Sequence, residues 1–115
     1  MQKSDLIYLS HMLEMVEKAL SKIEGKTRKD FDADENLRLA LIYLLQVIGE
    51  AASKISPEFR NKYPFIPWKE VIGMRNKLVH NYLSVDENIV WKTVTEELEP
   101  LIDKLKAIIP PQDKS

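Results

Sequence analysis

Apolar residues recur at steps of three and four along most of the chain, and no stretch alternates with a period of two for long enough to predict a strand. The first helix is predicted to begin at Ser4 or Asp5 and to end near Gly25. Its apolar stripe consists of Leu6, Leu9, Leu13, Val16, Leu20 and Ile23. Because residues three and four apart share one face of a helix, this stripe should pack against the rest of the protein. The pattern predicts an all-α fold.

A second, longer helix follows a polar, turn-rich connection with the sequence GKTRKDFDAD. Either Asp32 or Asp34 can cap this helix, which should run to about Ile55. Its apolar residues form one face of Leu37, Leu41, Leu44, Leu45, Ile48, Ala52 and Ile55 and another of Leu39, Ile42, Tyr43 and Val47. A helix that is apolar nearly all round is expected at the centre of the fold, or with one face against a second subunit.

The segment SPEFRNKYPFIPW contains three prolines and predicts a short helical turn followed by an extended connection. The next helix is predicted to begin at Pro67 or Trp68 and to end near Tyr82 or Leu83. The sequence RNKLVHNY, which draws attention below, therefore lies at the C-terminal end of a predicted helix.

One more helical run is predicted in the C-terminal part of the chain. Ser84 and Glu87 match a capping box that begins this run. Pro100 should kink or split it, because proline removes an amide donor and crowds the carbonyl of Glu96. Joined by mostly short connections, these segments predict a four- to five-helix up-and-down bundle.

The composition suits a single domain without bound metal. The chain has 115 residues, 44% of them hydrophobic, which is enough for one domain at residues 1–109 followed by a flexible tail at 110–115. With no cysteine and only two histidines, at 11 and 80, disulfides, thiolate metal sites and histidine clusters are excluded. Charges interrupt the apolar residues of the N-terminus, so neither a signal peptide nor a membrane span is predicted. We expect a cytoplasmic protein with no membrane partner.

Charge is unevenly distributed, although the net charge is only −1. Residues 54–77 contain six basic and two acidic side chains, whereas residues 84–103 contain six acidic and one basic. A net charge near zero excludes nucleic-acid binding through bulk charge, but a local basic segment can still contact phosphates. The commoner interpretation of such an asymmetry is that the charges line solvated helix faces.

The sequence RNKLVHNY, residues 75–82, places an arginine within an apolar stripe. On a continuous helix the residues within about 80° of Arg75 would be Val71, Ile72, Leu78, Val79, Tyr82 and Leu83. Burying a guanidinium without a partner costs several kcal/mol. Arg75 therefore needs an acidic partner, a subunit interface or a wet cleft that receives an anion.

Arg75 and His80 are candidates for phosphodiester cleavage. A histidine at a helix end can transfer protons near neutral pH, and an arginine provides forked donors for a phosphate. The two residues would be about 140° apart on a continuous helix, so either the helix unwinds near His80 or the side chains cooperate across an interface with a second copy. Asn76 and His80, four residues apart, share a flank and can hold one substrate. On residue types alone, an ion pair or a carbonyl cap is the commoner outcome.

The segment GMRNKLVHNY resembles the Arg-x4-His-x-Tyr signature of the HepT-like toxins, which belong to the HEPN superfamily of all-helical ribonucleases. The flanking segments VIGEAASKIS, IPWKEVIGMRN, VDENIVWKTV and LEPLIDKL are also similar to that family's pattern, so the resemblance covers roughly residues 37–105. The N-terminal helix resembles the family only in kind.

This resemblance implies a homodimeric bundle of HEPN type and a metal-independent endoribonuclease that cleaves RNA without a cofactor. Arg75 and His80 take the family's catalytic positions at the dimer cleft, and Asn76 takes the supporting polar position. Tyr82 matches the tyrosine that a nucleotidyltransferase antitoxin of the MntA type modifies with AMP. The chain is then expected to be the toxin of a type II toxin-antitoxin system. AMP on Tyr82 would block the cleft and compete with RNA phosphates for Arg75.

Two other interpretations stay open at the level of sequence. The chain can be a non-catalytic helical partner that recruits substrates to a nucleotidyltransferase, with Tyr82 as its modification site. It can also be a purely structural homodimer in which Arg75 makes a buried ion pair, for example with Glu50.

Overall fold

The computed structural model describes residues 3–81 and 84–109, with Arg75 and residues 79–81 described by their backbone alone. Its helices are α1 (Lys3–Ile23), α2 (Arg28–Ala33), α3 (Glu35–Ser53), α4 (Pro57–Lys62), α5 (Trp68–Ile72), α6 (Met74–Leu78), α7 (Glu87–Lys92) and α8 (Leu98–Ile108). A π-helix, Thr93–Glu97, joins α7 to α8, and two short antiparallel strands, β1 (Val79–Asn81) and β2 (Ser84–Val85), separate α6 from α7. The predicted all-α bundle is confirmed. The strand pair is an addition that is too short for sequence alternation to reveal.

The hydrophobic core lies around α3. Helix α1 packs along α3 and also against α8, while α2, α5, α6 and α7 each contact α3. The fully buried side chains of the core include Leu9, Met12, Val16, Leu41, Leu45, Ile48, Leu98 and Leu105. Of the two alternatives predicted for the second long helix, the central position is therefore confirmed. None of the helices within 3–81 and 84–109 is long and apolar enough to cross a membrane.

The helices of the N-terminal half begin and end close to the predicted residues, with one addition. Asp34 caps α3 by accepting a hydrogen bond from the Leu37 amide at 3.0 Å, and α1 ends just before Gly25, whose φ of 73° favours glycine. The sequence predicts only a connection where α2 lies. This helix forms because the Thr27 amide donates to the Asp30 carboxylate at 2.9 Å and the Asp30 amide donates to the Thr27 hydroxyl at 3.2 Å.

The same capping box lowers the pKa of Asp30. Hydrogen bonds from the Thr27 amide, and then from its hydroxyl, hold the pKa of this exposed carboxyl below its usual value. Because the pKa is lower in the folded state, ionised Asp30 stabilises that state at pH values above about 3.9, the pKa of an aspartate in the unfolded chain. This stabilisation is lost as the pH falls through the pKa of the folded state. The cap is therefore intact at neutral pH.

The C-terminal helical run differs from its prediction in two places. Asp86, and not Ser84, caps α7, accepting hydrogen bonds from two amides of the first turn at 3.0 and 3.2 Å. Ser84 lies in β2, so the predicted capping box of Ser84 and Glu87 is wrong. The run is interrupted near Pro100 as expected, but by the π-helix that precedes α8. Pro100 itself lies in the first turn of α8.

Asp5 makes a long-range contact that the sequence does not reveal. The sequence offers it as a helix cap, but it lies within the first turn of α1 and is only 2% exposed. Its carboxylate accepts hydrogen bonds from the Ser56 amide and the Ser56 hydroxyl, both at 2.8 Å. Ser56 in turn caps α4, so one acid joins the beginnings of two helices that are distant in sequence.

Replacing Asp5 by alanine is expected to lower the free energy of unfolding by about 2 kcal/mol, because the Ser56 groups lose a charged acceptor. Urea unfolding followed by circular dichroism measures this change. The control is Glu17→Ala on the exposed face of the same helix, for which we expect a change of no more than about 0.5 kcal/mol. Equal stability of the two variants would contradict the role given to Asp5.

Candidate active site

The helix that contains the beginning of the motif is shorter than predicted. Gly73 separates α5 from α6, and α6 ends at Leu78. Beyond it the chain turns into β1, where Val79 pairs with Val85. The Leu78 carbonyl accepts a hydrogen bond from the Asp86 amide at 2.8 Å, which fixes the end of α6 to the beginning of α7.

The prediction of one continuous helix ending near Tyr82 or Leu83 is therefore wrong. Glycine is a poor helix former, which favours the break at Gly73. Pairing with a strand that lies later in the chain gives the backbone after Leu78 an alternative to helical hydrogen bonds. The predicted apolar stripe is confirmed within the helical part, because Val71 and Leu78 are 3% and 0% exposed.

Arg75 and His80 lie on different elements, Arg75 in α6 and His80 in β1. The angle of about 140° that a continuous helix would impose does not apply. The predicted end of helical structure before His80 is present in this chain, whereas cooperation of the two side chains across an interface with a second copy stays a prediction. The predicted helical flank shared by Asn76 and His80 is wrong for the same reason, although Asn76 is exposed on α6. Tyr82 lies outside the described residues.

Helix α3 supports the motif segment at Gly49. A Cβ atom at this position would lie 2.9 Å from the Val71 carbonyl oxygen, 3.5 Å from that of Ile72 and 3.8 Å from the Cβ of Met74. Only a residue without a side chain allows α3 to approach the end of α5 so closely. Met74, 6% exposed, holds α6 in the core. The backbone that carries Arg75 is thus positioned by packing against α3.

Two of the basic side chains of residues 54–77 form ion pairs. Lys77 Nζ lies 3.5 Å from the Glu97 carboxylate, and Lys54 Nζ lies 3.6 Å from that of Glu50. The Glu50 side chain is 71% exposed, so within one chain it is not the buried partner of Arg75 that the structural-homodimer interpretation requires. In the part of the chain that the structure describes, no group of three histidine or carboxylate side chains is arranged to hold a metal ion.

A comparison of the sequence with known protein families shows where this chain belongs. The Ribonuclease HepT-like family matches residues 12–108, which is most of the chain. The chain belongs to the HepT-like ribonuclease family. This membership confirms the resemblance drawn from the motif and extends it from residues 37–105 into the N-terminal helix.

Similar proteins also carry ribonuclease names. A "Putative RNase" of Caldanaerobacter subterraneus subsp. tengcongensis is 38% identical over 102 residues, which cover 89% of this chain and 91% of that protein. The "Probable ribonuclease HepT" of Thermococcus cleftensis is 39% identical over 100 residues, which cover 84% and 91%. The "Gamma-glutamylcyclotransferase and putative RNase" of Methanocaldococcus jannaschii is 36% identical over 115 residues, which cover 100% of this chain and 52% of that protein. No solved structure matches the chain.

Two residues position helices of this fold in ways that the sequence does not predict. Gly49 is one, and its signal is present in the sequence, because a glycine inside an apolar helix usually has a packing reason. Asp5 is the other, and it has no such signal, because its partner Ser56 is 51 residues away. Gly49 acts by allowing α3 to approach α5, and Asp5 acts by joining the beginnings of α1 and α4.

Proposed function

We propose that this HepT-like ribonuclease is the toxin of a type II toxin-antitoxin system and a metal-independent endoribonuclease, with Arg75 and His80 as catalytic residues at a cleft between two copies. The observation that carries the proposal is the end of α6 at Leu78, which puts His80 on a separate strand. This arrangement removes the angular restriction that a continuous helix would place on the pair.

The reaction is a transesterification within the RNA. A neutral His80 imidazole accepts the proton of a ribose 2′-hydroxyl, whose oxygen attacks the adjacent phosphorus. The bond from phosphorus to the 5′-oxygen of the next nucleotide breaks, and a protonated imidazole of the dimer cleft gives that oxygen a proton. Arg75 stabilises the negative charge of the phosphorane through its forked donors, and the exposed Asn76 supports the phosphate. The products are a 2′,3′-cyclic phosphate and a 5′-hydroxyl.

An apolar face of α3 supports contact with a second copy. Leu39 and Tyr43, four residues apart on this helix, are 58% and 66% exposed. Exposed large apolar side chains that share a helix face are typical of a protein contact. The sequence predicts that this helix is central or that one of its faces meets another subunit, and Leu39 and Tyr43 belong to the second of its two apolar faces.

The test of the proposed function is RNA cleavage by the protein expressed without any partner, in the presence of EDTA. Cleavage with cyclic-phosphate ends would support a metal-independent ribonuclease. Intact mass must show no AMP on the protein, since a modified toxin would be silent. Unmodified protein that cleaves no RNA but binds a nucleotidyltransferase would favour the second candidate, the non-catalytic partner that recruits substrates to that enzyme.

Tyr82 is the proposed site of silencing by an MntA-like nucleotidyltransferase antitoxin. The phenol oxygen attacks the α-phosphorus of ATP, pyrophosphate leaves, and an O-AMP-tyrosine results. The added nucleotide brings bulk and negative charge into the motif, where it opposes the binding of an RNA phosphate. Incubation with the nucleotidyltransferase and ATP is therefore expected to add the mass of one AMP and to suppress cleavage.

The variant Tyr82→Phe lacks the attacking oxygen and is expected to keep both its mass and its RNA cleavage after the same incubation. Intact-protein mass spectrometry and a cleavage assay on one sample measure both effects. The matched control is Tyr8→Phe, at a partly buried tyrosine of α1, which should be modified and silenced like the wild type. Addition of AMP to Tyr82→Phe would place the modification on another residue.

A further inference from the structure

A groove lies beside the motif, between α4 and α5. It has a volume of about 740 Å³, and its floor is formed largely by apolar side chains of the connection between these helices. Arg60 of α4 and Lys69 of α5 line it, together with a single carboxylate, that of Glu70. Cations therefore outnumber acids in this groove.

The two cations of the groove have no ion-pair partner in the described part of the chain. Within residues 3–81 and 84–109, neither Arg60 nor Lys69 forms an ion pair, and the Arg60 Nε atom is buried without a hydrogen-bond partner. Lys54 and Lys77, the neighbouring lysines of the basic segment, are both paired with glutamates. Of these four basic side chains, the two without an acidic partner are therefore the two that line the groove.

Two other large grooves of the described chain have a different charge. The groove between α1 and α3, about 700 Å³, is lined by two lysines and two glutamates: Lys18, Lys22, Glu14 and Glu17. The groove at the beginning of α3, about 560 Å³, has one lysine against three acids: Lys26, Asp30, Asp34 and Glu35. Of the three, the groove between α4 and α5 is the one with a positive balance, and an anionic chain is the ligand that this balance favours.

The groove reaches the residues that immediately precede the motif helix. Ile72 and Gly73 line it, and Gly73 leads directly into α6, the helix that carries Arg75. A strand bound in the groove would therefore contact the backbone that leads into the motif helix.

An aromatic side chain flanks the groove. Phe65 is 48% exposed and lies between Pro64 and Ile66, which line the groove, although Phe65 itself is not one of the lining residues. Its ring is held edge-on against Tyr63, with 6.1 Å between the ring centroids. An exposed ring beside unpaired cations is the combination by which proteins bind single-stranded nucleic acid, since the ring stacks on a base and the cations contact phosphates.

We propose that the groove between α4 and α5 binds single-stranded RNA beside the scissile phosphate, with Arg60 and Lys69 contacting the backbone phosphates and Phe65 stacking on a base. This assignment rests on the proposed ribonuclease function, because it takes RNA as the anionic chain. Pro64, Ile66 and Pro67, in the connection between the two helices, supply apolar surface for the ribose and base.

Binding to a fluorescein-labelled single-stranded RNA, measured by anisotropy in a His80→Ala background that leaves the RNA uncut, tests the proposal. Adding Arg60→Gln and Lys69→Gln is expected to weaken binding at least about tenfold at moderate salt. The slope of log K against log salt should also become shallower by about 1.4, since each lost phosphate contact on a single strand contributes about 0.7. Phe65→Ala should weaken binding about fivefold or more and leave the salt slope unchanged.

The matched control removes two cations from the groove of similar size between α1 and α3. Lys18→Gln with Lys22→Gln, in the same background, should leave affinity and salt slope nearly unchanged. The assignment of this groove would be contradicted if both double variants weakened RNA binding equally, or if Arg60→Gln with Lys69→Gln did not weaken it. RNA would then bind elsewhere on the protein. Absence of RNA binding by the His80→Ala protein would also overturn the assignment. Cleavage by the wild type, measured in parallel, then decides separately whether the ribonuclease proposal fails with it.

Discussion

Replacing His80 by alanine should lower the rate of RNA cleavage by about 10²–10⁴-fold, the range typical for loss of a general acid or base. The reason is that the 2′-hydroxyl loses its proton acceptor and the leaving 5′-oxygen loses its donor, while Arg75 still binds the phosphate. Single-turnover cleavage by partner-free protein in EDTA measures the change, and analysis of the product ends shows whether the wild type leaves cyclic phosphates. Circular dichroism checks that the variant is folded.

The chain offers a matched control in its other histidine. His11 is exposed on α1, so His11→Ala should cleave RNA at the wild-type rate. If His80→Ala cleaves as fast as the wild type, or if both histidine variants lose activity equally, the catalytic assignment of His80 fails. Preserved binding of a nucleotidyltransferase by an equally inactive wild type would then favour the non-catalytic partner.

Replacing Gly49 by valine is expected to lower the free energy of unfolding by about 3 kcal/mol, the upper part of the usual range for an overpacked core. The reason is the 2.9 Å between its Cβ position and the Val71 carbonyl oxygen, which belongs to backbone and has little freedom to move. The substitution pushes α3 away from the end of α5, so RNA cleavage should fall together with stability. Urea unfolding and cleavage by the fraction that remains folded measure the two effects.

Gly49→Ala separates this packing effect from helix propensity. On propensity alone, alanine in a helix interior stabilises by up to about 1 kcal/mol relative to glycine. The contact with Val71 should reverse the sign and produce a net loss that is smaller than the loss for valine. The control Glu50→Ala, at the exposed neighbouring position, should change stability little, because it removes only a surface ion pair. A Gly49→Ala protein more stable than the wild type would show that α3 and α5 separate easily.

The long helices were predictable because their signals are local. The stripe of α1 and the apolar faces of α3 repeat over about five turns, and Asp34 caps α3 as its position suggests. The candidate site was predictable as a set of residues, since the Arg75 and His80 spacing carries the family resemblance, and the family match confirms that resemblance. The roles of these residues stay a prediction.

The end of the motif helix was not predictable in the same way. Spacing alone continues the apolar stripe through Tyr82 and Leu83, and only the pairing of β1 with β2 shows that the helix ends at Leu78. The helix α2 was missed because its capping box lies in a segment whose composition is typical of a turn. In both cases a few specific hydrogen bonds outweigh the average tendency of the sequence.

By itself, the sequence determined the helical class, the central position of α3 and the family of the protein, because periodicity, caps and motif spacing are properties of neighbouring residues. Tertiary structure alone decided that Arg75 and His80 occupy different elements and that Asp5 binds Ser56. It also decided that Arg60 and Lys69, which have no ion-pair partner among the described residues, line the groove between α4 and α5. These features depend on which distant segments come into contact. Such contacts follow from packing of the whole chain, in which a close backbone approach, as at Gly49, sets the distance between two helices.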